Sequence, residues 1–88
     1  MAKVVIYTTH QCPYCLMAKD LLNRKNISFD EIHVDDDEDK RDEMVRLSHR
    51  RSVPQIFIDD EPIGGYDDLS RLESSGQLDQ LLNKQQVK

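Results

Sequence analysis

The two cysteines of this 88-residue chain lie close together, in the segment His10-Gln11-Cys12-Pro13-Tyr14-Cys15. This segment falls where a predicted strand gives way to a predicted helix. A cysteine at the start of a helix faces unpaired backbone N–H groups and the positive end of the helix dipole. Both favour the thiolate, which is the nucleophilic form of the side chain. The spacing and position of the pair therefore predict thiol chemistry.

Each cysteine has a different predicted role. Cys12 is the predicted nucleophile, because as the N-cap residue it can accept hydrogen bonds from the amides of Tyr14 and Cys15. Cys15 lies one helical turn further in, where it can attack a mixed disulfide formed on Cys12, so the pair suits a reversible disulfide. His10 lies two residues before Cys12. It could add positive charge when protonated, or it could be an ordinary exposed loop histidine.

Metal binding is the alternative interpretation of a Cys-x-x-Cys pair. A tetrahedral zinc site needs about four ligands. Near the two cysteines the sequence offers only His10, since His33 and His49 belong to other predicted elements. A second subunit would have to complete the set. We therefore expect no metal in a single chain.

Length and composition limit the remaining possibilities. The chain has room for one small domain, which we expect to span residues 1–88 with a frayed tail at 84–88. No segment approaches the roughly 18 apolar residues of a membrane span, and the first residues resemble a strand rather than a signal peptide. A cytoplasmic location with reduced cysteines is therefore expected. The net charge of −5 argues against nucleic acid or an anionic membrane as the main partner, and we expect a monomer.

Hydrophobic patterns predict the element order β-α-β-α-β-β-α, followed by a short terminal helix around 78–82. The predicted strands are 4–8, 29–34, 53–58 and 62–64, and the predicted helices are 13–25, 40–49 and 68–73. The first two strands straddle a helix and should be parallel, whereas the last two form an antiparallel hairpin. This order predicts an α/β fold, with a four-stranded mixed sheet and helices on both faces.

The periodicity also predicts which side of each helix is buried. On the first helix the predicted apolar face contains Tyr14, Met17, Ala18, Leu21 and Leu22, with Cys15 at its edge. On the second helix the residues predicted to face the interior are Met44, Val45, Leu47 and Ser48.

Three segments, in the same order along the chain, resemble the small bacterial-type dithiol glutaredoxins. They are Cys12-Pro13-Tyr14-Cys15, Ser52-Val53-Pro54-Gln55 (where the family usually has threonine first) and Gly64-Gly65-Tyr66-Asp67-Asp68. The resemblance covers about residues 3–83. It implies a thioredoxin-like fold and a glutathione-dependent thiol–disulfide oxidoreductase, which reduces protein–glutathione mixed disulfides and protein disulfides.

The resemblance also implies that glutathione, as co-substrate, binds beside Cys12. The implied site residues are Tyr14, Arg51, Val53, Pro54, Gly65, Tyr66, Asp67 and Asp68. The Val53 backbone, next to an implied cis peptide bond to Pro54, would pair with the cysteine of glutathione in the manner of an added strand. Amides at the start of the third helix would bind the γ-glutamyl carboxylate, and an aspartate would hold its ammonium group.

Several of these residues have a simpler alternative role. Tyr14 could pack in the apolar face of its helix, Asp67 could cap the third helix, and Arg51 could be solvated instead of meeting the glycine carboxylate of glutathione. Many glutaredoxins also carry a lysine about three residues before the first cysteine. Thr9 stands there in this chain, so we expect Cys12 to depend more on the helix start and on His10.

Two rival functions remain open from the sequence. One is an enzyme of the same fold that takes its electrons from a flavoprotein reductase. The other is a non-enzymatic carrier that holds a metal or iron–sulfur centre at Cys12 across a dimer. Pro13 counts against the iron–sulfur alternative, because that centre is associated mainly with other active-site sequences in the family.

Overall fold

Eight helices and strands follow one another in the computed structural model, which describes residues 3–83. In chain order they are β1 (Val4–Thr8), α1 (Pro13–Arg24), β2 (Asp30–His33), α2 (Glu38–Ser48), β3 (Gln55–Ile58), β4 (Glu61–Gly64), α3 (Tyr66–Ser75) and α4 (Gln77–Asn83). The predicted order is confirmed. The predicted frayed tail at 84–88 lies outside the described residues.

The four strands form one mixed sheet in the order β2-β1-β3-β4. β1 is parallel to β2 and antiparallel to β3, and β3 and β4 form the antiparallel hairpin. β1 is therefore a central strand, as its unbroken apolar run predicted. β4 lies at an edge of the sheet and has β3 as its neighbour on one side only. The missing N–H of Pro62 is tolerated in such an edge strand.

The sheet is covered on both faces. One face packs on α1, α3 and α4 through a cluster formed by Val4, Ile6, Ala18, Leu21, Leu22, Ile56, Ile58, Leu69 and Leu78. The other face packs on α2 through Tyr7, Val34, Met44 and Phe57. Alternate residues of β1 and β3 enter the two clusters, as the period of a strand requires. Both faces of these central strands are buried. A shift by one residue would exchange the side chains of the two clusters, so the register is strongly specified.

The hairpin between β3 and β4 turns through two residues with left-handed backbone. Asp59 has φ 51° and Asp60 has φ 69°, the arrangement of a type I′ turn, whose twist matches that of the flanking strands. The Asp59 backbone N–H also donates to the Lys3 carbonyl at 2.8 Å. The turn therefore joins the hairpin to the start of the chain.

The predicted faces of α1 and α2 were partly wrong. Tyr14 and Met17 are 57% and 43% exposed, whereas Cys15 is buried to 1% exposure. The buried stripe is thus rotated toward Cys15, because α1 packs on the sheet through Ala18, Leu21 and Leu22. On α2, Met44 is buried as predicted, but Leu47 is 42% exposed.

Helix boundaries differ from the predicted ones where a cap was misassigned. α2 begins at Glu38 instead of residue 40, because Asp37 is its N-cap and accepts a hydrogen bond from the Lys40 N–H at 3.1 Å. α3 begins at Tyr66 instead of residue 68, because its N-cap is Gly65. The predicted stop at Gly76 is confirmed, with φ 82° in the left-handed region. None of the helices within residues 3–83 has the length and apolar character to cross a bilayer.

Candidate active site

Cys12 is the N-cap residue of α1, as predicted. Its backbone is extended (φ −146°, ψ 102°), and its Sγ accepts a hydrogen bond from the Cys15 backbone N–H at 3.1 Å. Of the two amides predicted to donate to this sulfur, the structure shows that of Cys15. Pro13 occupies the first helical position, where its missing N–H has no cost. The start of α1 thus directs a backbone donor at the Cys12 sulfur.

The two thiols differ in access to solvent. Cys12 retains 9% exposure and Cys15 only 1%, and neither forms a disulfide. Burial, followed by the hydrogen bond to Cys12, raises the pKa of Cys15 to about 12, against the opposing effects of the Thr9 backbone and the Lys19 charge. Cys15 is therefore a protonated thiol at neutral pH. The less buried sulfur, that of the N-cap residue Cys12, is the one suited to the first attack.

The loop before β3 lies against Cys12. The Cys12 Sγ is 3.9 Å from the Val53 carbonyl oxygen, and the peptide bond between Val53 and Pro54 is cis, as the resemblance implied. Pro54 is buried. The backbone of Val53 therefore borders the nucleophile.

A cavity of about 270 Å³, open to solvent, lies beside this loop. Its lining comprises Tyr14, Arg50, Ser52, Val53, Pro54, Gly65, Tyr66, Asp67 and Asp68. All of the residues that the resemblance implied for glutathione are present except Arg51. The rings of Tyr14 and Tyr66 lie with centroids 6.4 Å apart. The three chain segments that resembled the family therefore meet at this cavity, which forms a groove beside Cys12.

The arginine of this cavity is Arg50 and not the predicted Arg51, which is exposed and does not line it. The Arg50 Nη1 lies 3.0 Å from the Asp68 Oδ2. The sequence indicated an arginine here through the adjacent pair Arg50-Arg51, but adjacent residues do not face the same side, and only Arg50 lines the cavity. Which of the two faces the groove depends on how the chain leaves α2 through His49, whose φ is 63°.

Asp68 is the most constrained carboxylate of the groove. Its Oδ2 accepts a hydrogen bond from the Gly65 N–H at 3.0 Å, as the third residue of a capped helix does. That hydrogen bond, aided by Arg50 and Arg71 against partial burial, lowers the pKa of Asp68 below its ordinary value. The alternative role of cap therefore belongs to Asp68, while Asp67 is exposed in the first turn of α3.

His10 lies on the opposite side of the cysteine pair. Its Nδ1 is 2.8 Å from the Asp35 Oδ2, and its ring stacks on His33 with centroids 4.1 Å apart. The hydrogen bond and charge of Asp35 raise the pKa of His10. The imidazolium charge is therefore matched by a carboxylate on the loop after β2. Because the His10 side chain is also 54% exposed, solvent screens its charge, and His10 is a weaker source of charge for Cys12 than the sequence suggested.

Within residues 3–83, the side chains whose possible metal-ligand atoms converge in a group of three or more are His10, Asp35 and Asp36. All three are exposed, and neither cysteine belongs to the group.

A pair of free cysteines at the start of a helix, the first of them the less buried, on a four-stranded mixed sheet, defines a thiol–disulfide oxidoreductase of thioredoxin-like fold. The glutaredoxin family model matches residues 4–63. The chain is 54% identical to glutaredoxin 3 of Escherichia coli K12 over 82 residues, which cover 93% of this chain and 99% of that protein. The chain belongs to the glutaredoxin family, whose members are glutathione-dependent thiol oxidoreductases.

Solved structures agree with this assignment. The solution structure of a glutaredoxin from Brucella melitensis has a TM-score of 0.83 and 49% identity, covering 93% of this chain and 89% of that one. A buckwheat glutaredoxin–glutathione complex has a TM-score of 0.85 at 24% identity, covering 94% and 78%. The second likeness concerns the fold alone.

Proposed function

We propose that Cys12 takes the glutathionyl group from protein–glutathione mixed disulfides, and that the groove beside it holds that group. The observation on which this depends is the position of the Cys12 sulfur. It accepts the Cys15 N–H at 3.1 Å and lies 3.9 Å from the Val53 carbonyl at the border of the cavity. A disulfide whose glutathione half pairs with the Val53 backbone would present its sulfur to Cys12.

The charges of the groove suit the ends of glutathione. The amides at the start of α3 can bind the γ-glutamyl carboxylate, because the helix start carries partial positive charge. The ionised carboxylate of Asp68, together with the exposed Asp67, can hold the ammonium group. Arg50, which lines the cavity where Arg51 does not, is the cation available for the glycine carboxylate. The rings of Tyr14 and Tyr66 can flank the tripeptide.

Two routes begin with attack by Cys12 on a disulfide, and in both the substrate disulfide is reduced. In the monothiol route the Cys12 thiolate attacks the mixed disulfide, the protein thiolate leaves and is protonated, and a second glutathione releases oxidised glutathione. In the dithiol route Cys12 attacks a protein disulfide, and Cys15 then displaces the second thiol. Two molecules of glutathione reduce the resulting Cys12–Cys15 disulfide.

The same reasoning extends to partners and location. We propose glutathionylated or disulfide-containing proteins as substrates, a monomeric single-domain enzyme, and the cytoplasm as the place of action. The reducing conditions of the cytoplasm would keep the pair ready for the next cycle.

Single serine substitutions separate the two routes. We expect Cys12→Ser to lower glutathione-coupled reduction of a mixed disulfide by more than about 100-fold, because the nucleophile is lost. Cys15→Ser should keep mixed-disulfide reduction and lose protein-disulfide reduction. Activity retained in Cys12→Ser would overturn the mechanism. Loss of both activities in a folded Cys15→Ser protein would remove the monothiol route.

A further inference from the structure

A polar network lies on the side of the cysteine pair that faces away from the groove. The Glu31 Oε2 accepts a hydrogen bond from the Thr8 hydroxyl at 2.7 Å and from the Lys19 ammonium at 2.8 Å, and the His33 Nε2 lies 3.3 Å away. The Lys19 and Glu31 side chains are each only 23% exposed, and Thr8 is buried. The ion pair is therefore shielded and fixed by a third partner, unlike most surface pairs.

This network lies one helical turn of α1 beyond Cys15, at the position of Lys19. Lys19 follows Cys15 by four residues and so lies on the same face of α1, one turn further along. Thr8, which fixes the carboxylate, directly precedes Thr9, whose backbone lowers the pKa of the Cys15 thiol. The charged and titratable groups acting on Cys15 are Cys12, which opposes its ionisation, and Lys19, which favours it.

The dithiol route requires Cys15 to ionise, and this arrangement can favour that ionisation. Cys15 is buried and protonated, yet it must lose its proton before it can attack the mixed disulfide on Cys12. In a low-polarity site a nearby fixed positive charge stabilises the thiolate more than it would in water. The first step, in contrast, uses the more accessible sulfur at the helix start.

We propose that Lys19, held by Glu31 and Thr8, is a positioning residue for the second step of the dithiol route. Its ammonium group stabilises the Cys15 thiolate and leaves the attack by Cys12 unchanged. The inference depends on the proposed roles of the two cysteines and assigns the control of the resolving step to a third side chain.

The step balances as an ordinary thiol–disulfide exchange. Cys15 releases its proton to solvent, and its thiolate forms a bond to the Cys12 sulfur. The bond between Cys12 and the substrate sulfur breaks, and the substrate leaves as a thiolate that takes up a proton. Together the two exchanges oxidise the cysteine pair by two electrons and reduce the substrate disulfide to two thiols.

Stopped-flow reaction of the reduced full-length protein with Ellman's reagent resolves the two steps. Attack by Cys12 releases one coloured thiol and leaves the other on Cys12, and attack by Cys15 then releases the second. The rate of the second phase as a function of pH reports the ionisation of Cys15. Cys15→Ser should release one thiol only, and Cys12→Ser should show no rapid release.

The decisive variants change charge with little change in size. In Lys19→Gln we expect the second phase to slow about tenfold at neutral pH. This corresponds to a rise of about one unit in the pKa of Cys15. The first phase should change less than about twofold. Lys19→Arg should restore the rate. Glu31→Gln removes the countercharge and should move the profile of the second phase to lower pH, opposite to Lys19→Gln.

Lys25 provides a matched control. It follows α1 as its C-cap, its side chain is 21% exposed, and it pairs with Glu73 at 3.0 Å and Asp79 at 2.8 Å. Lys25→Gln therefore removes a similarly shielded ion pair away from the cysteines, and both phases should keep their rates. The proposal is overturned if Lys19→Gln affects the second phase no more than Lys25→Gln does.

Other outcomes also decide the question. Equal slowing of both phases in Lys19→Gln, or a shift to higher pH in Glu31→Gln, would assign the network to folding and overturn the proposal. Should Lys19→Gln fail to fold, the direction of the shift in Glu31→Gln decides. A fast first phase in Cys12→Ser would instead contradict the proposed function, so the two failures are distinguishable.

Discussion

The two flanks of the cysteine pair differ in how their polar groups are satisfied. The groove flank, formed by the cavity-lining residues, contains the Arg50–Asp68 pair but also presents the exposed ring of Tyr14 and the exposed carboxylate of Asp67. The β2 flank, formed by His10, Lys19, Glu31, His33 and Asp35, pairs its charges with one another. The groove flank therefore leaves an aromatic ring and a carboxylate available to solvent, as the proposed binding of glutathione requires, whereas the charges of the β2 flank are matched within the chain.

The largest effect is expected on the groove flank. Asp68→Asn should raise KM for a glutathionylated substrate by about tenfold or more, because it removes the charge proposed to hold the ammonium group. Asp35→Asn removes a carboxylate from the β2 flank and serves as the control, with KM within about twofold of wild type. Steady-state kinetics at saturating glutathione measures both. Equal effects of the two substitutions on KM would erase the distinction between the flanks.

A smaller effect is expected on the free energy of unfolding when Glu31 is substituted. Partial burial alone would raise the pKa of Glu31, but its hydrogen bonds from Lys19 and Thr8 outweigh burial and lower that pKa. A carboxylate with a lowered folded pKa stabilises the protein above its unfolded pKa, and this contribution is lost as pH falls through the folded pKa. Glu31→Gln should therefore cost about 1 kcal/mol at pH 7.

Urea unfolding at pH 7 and again at about pH 3 tests this contribution, because the difference between wild type and Glu31→Gln should shrink in acid. A difference of the same size at both pH values would mean that packing, and not the ionised carboxylate, is responsible.

The smallest effect is expected from His10. Asp35 raises the pKa of His10 through a hydrogen bond and its charge, so the pair stabilises the fold fully below the unfolded pKa of histidine. The contribution is lost as pH rises through the higher folded value. Melting temperatures of wild type and Asp35→Asn should therefore differ more at pH 6 than at pH 8.5.

The corresponding chemical measurement is the pH profile of Cys12 alkylation in His10→Ala. Because the His10 charge is matched by Asp35 and screened by the solvent to which His10 is exposed, the profile should move only slightly. A large shift would show that the β2 flank supplies charge to Cys12. The charges of the two flanks would then not act independently.

Much of this architecture was predictable because its causes are local. Pro13 at a helix start fixed the position of Cys12, and the unbroken apolar run of β1 identified a central strand. What failed depended on packing between distant segments. Cys15 is more deeply buried than Tyr14 because the rotation of α1 is set by the sheet beneath it, and sequence spacing constrains that rotation only loosely.

The errors at the site had the same origin. Arg50 faces the groove in place of Arg51 because the chain leaves α2 through a left-handed residue, which no periodicity encodes. The stacking of His10 on His33 follows from the parallel register that places Thr8 beside His33. Such contacts between elements far apart in the chain, Lys19 with Glu31 included, could not be predicted from residue types alone.

Gly64, the last residue of β4, has a consequence for mutational tolerance. Its φ is 117°, and a Cβ built there would collide with the carboxylate of Asp68. A substitution at this position would disturb both a backbone conformation that L-residues avoid and the side chain that caps α3. A saturation screen for activity should therefore score position 64 among the most sensitive sites, although glycine has no side chain with which to contact a substrate.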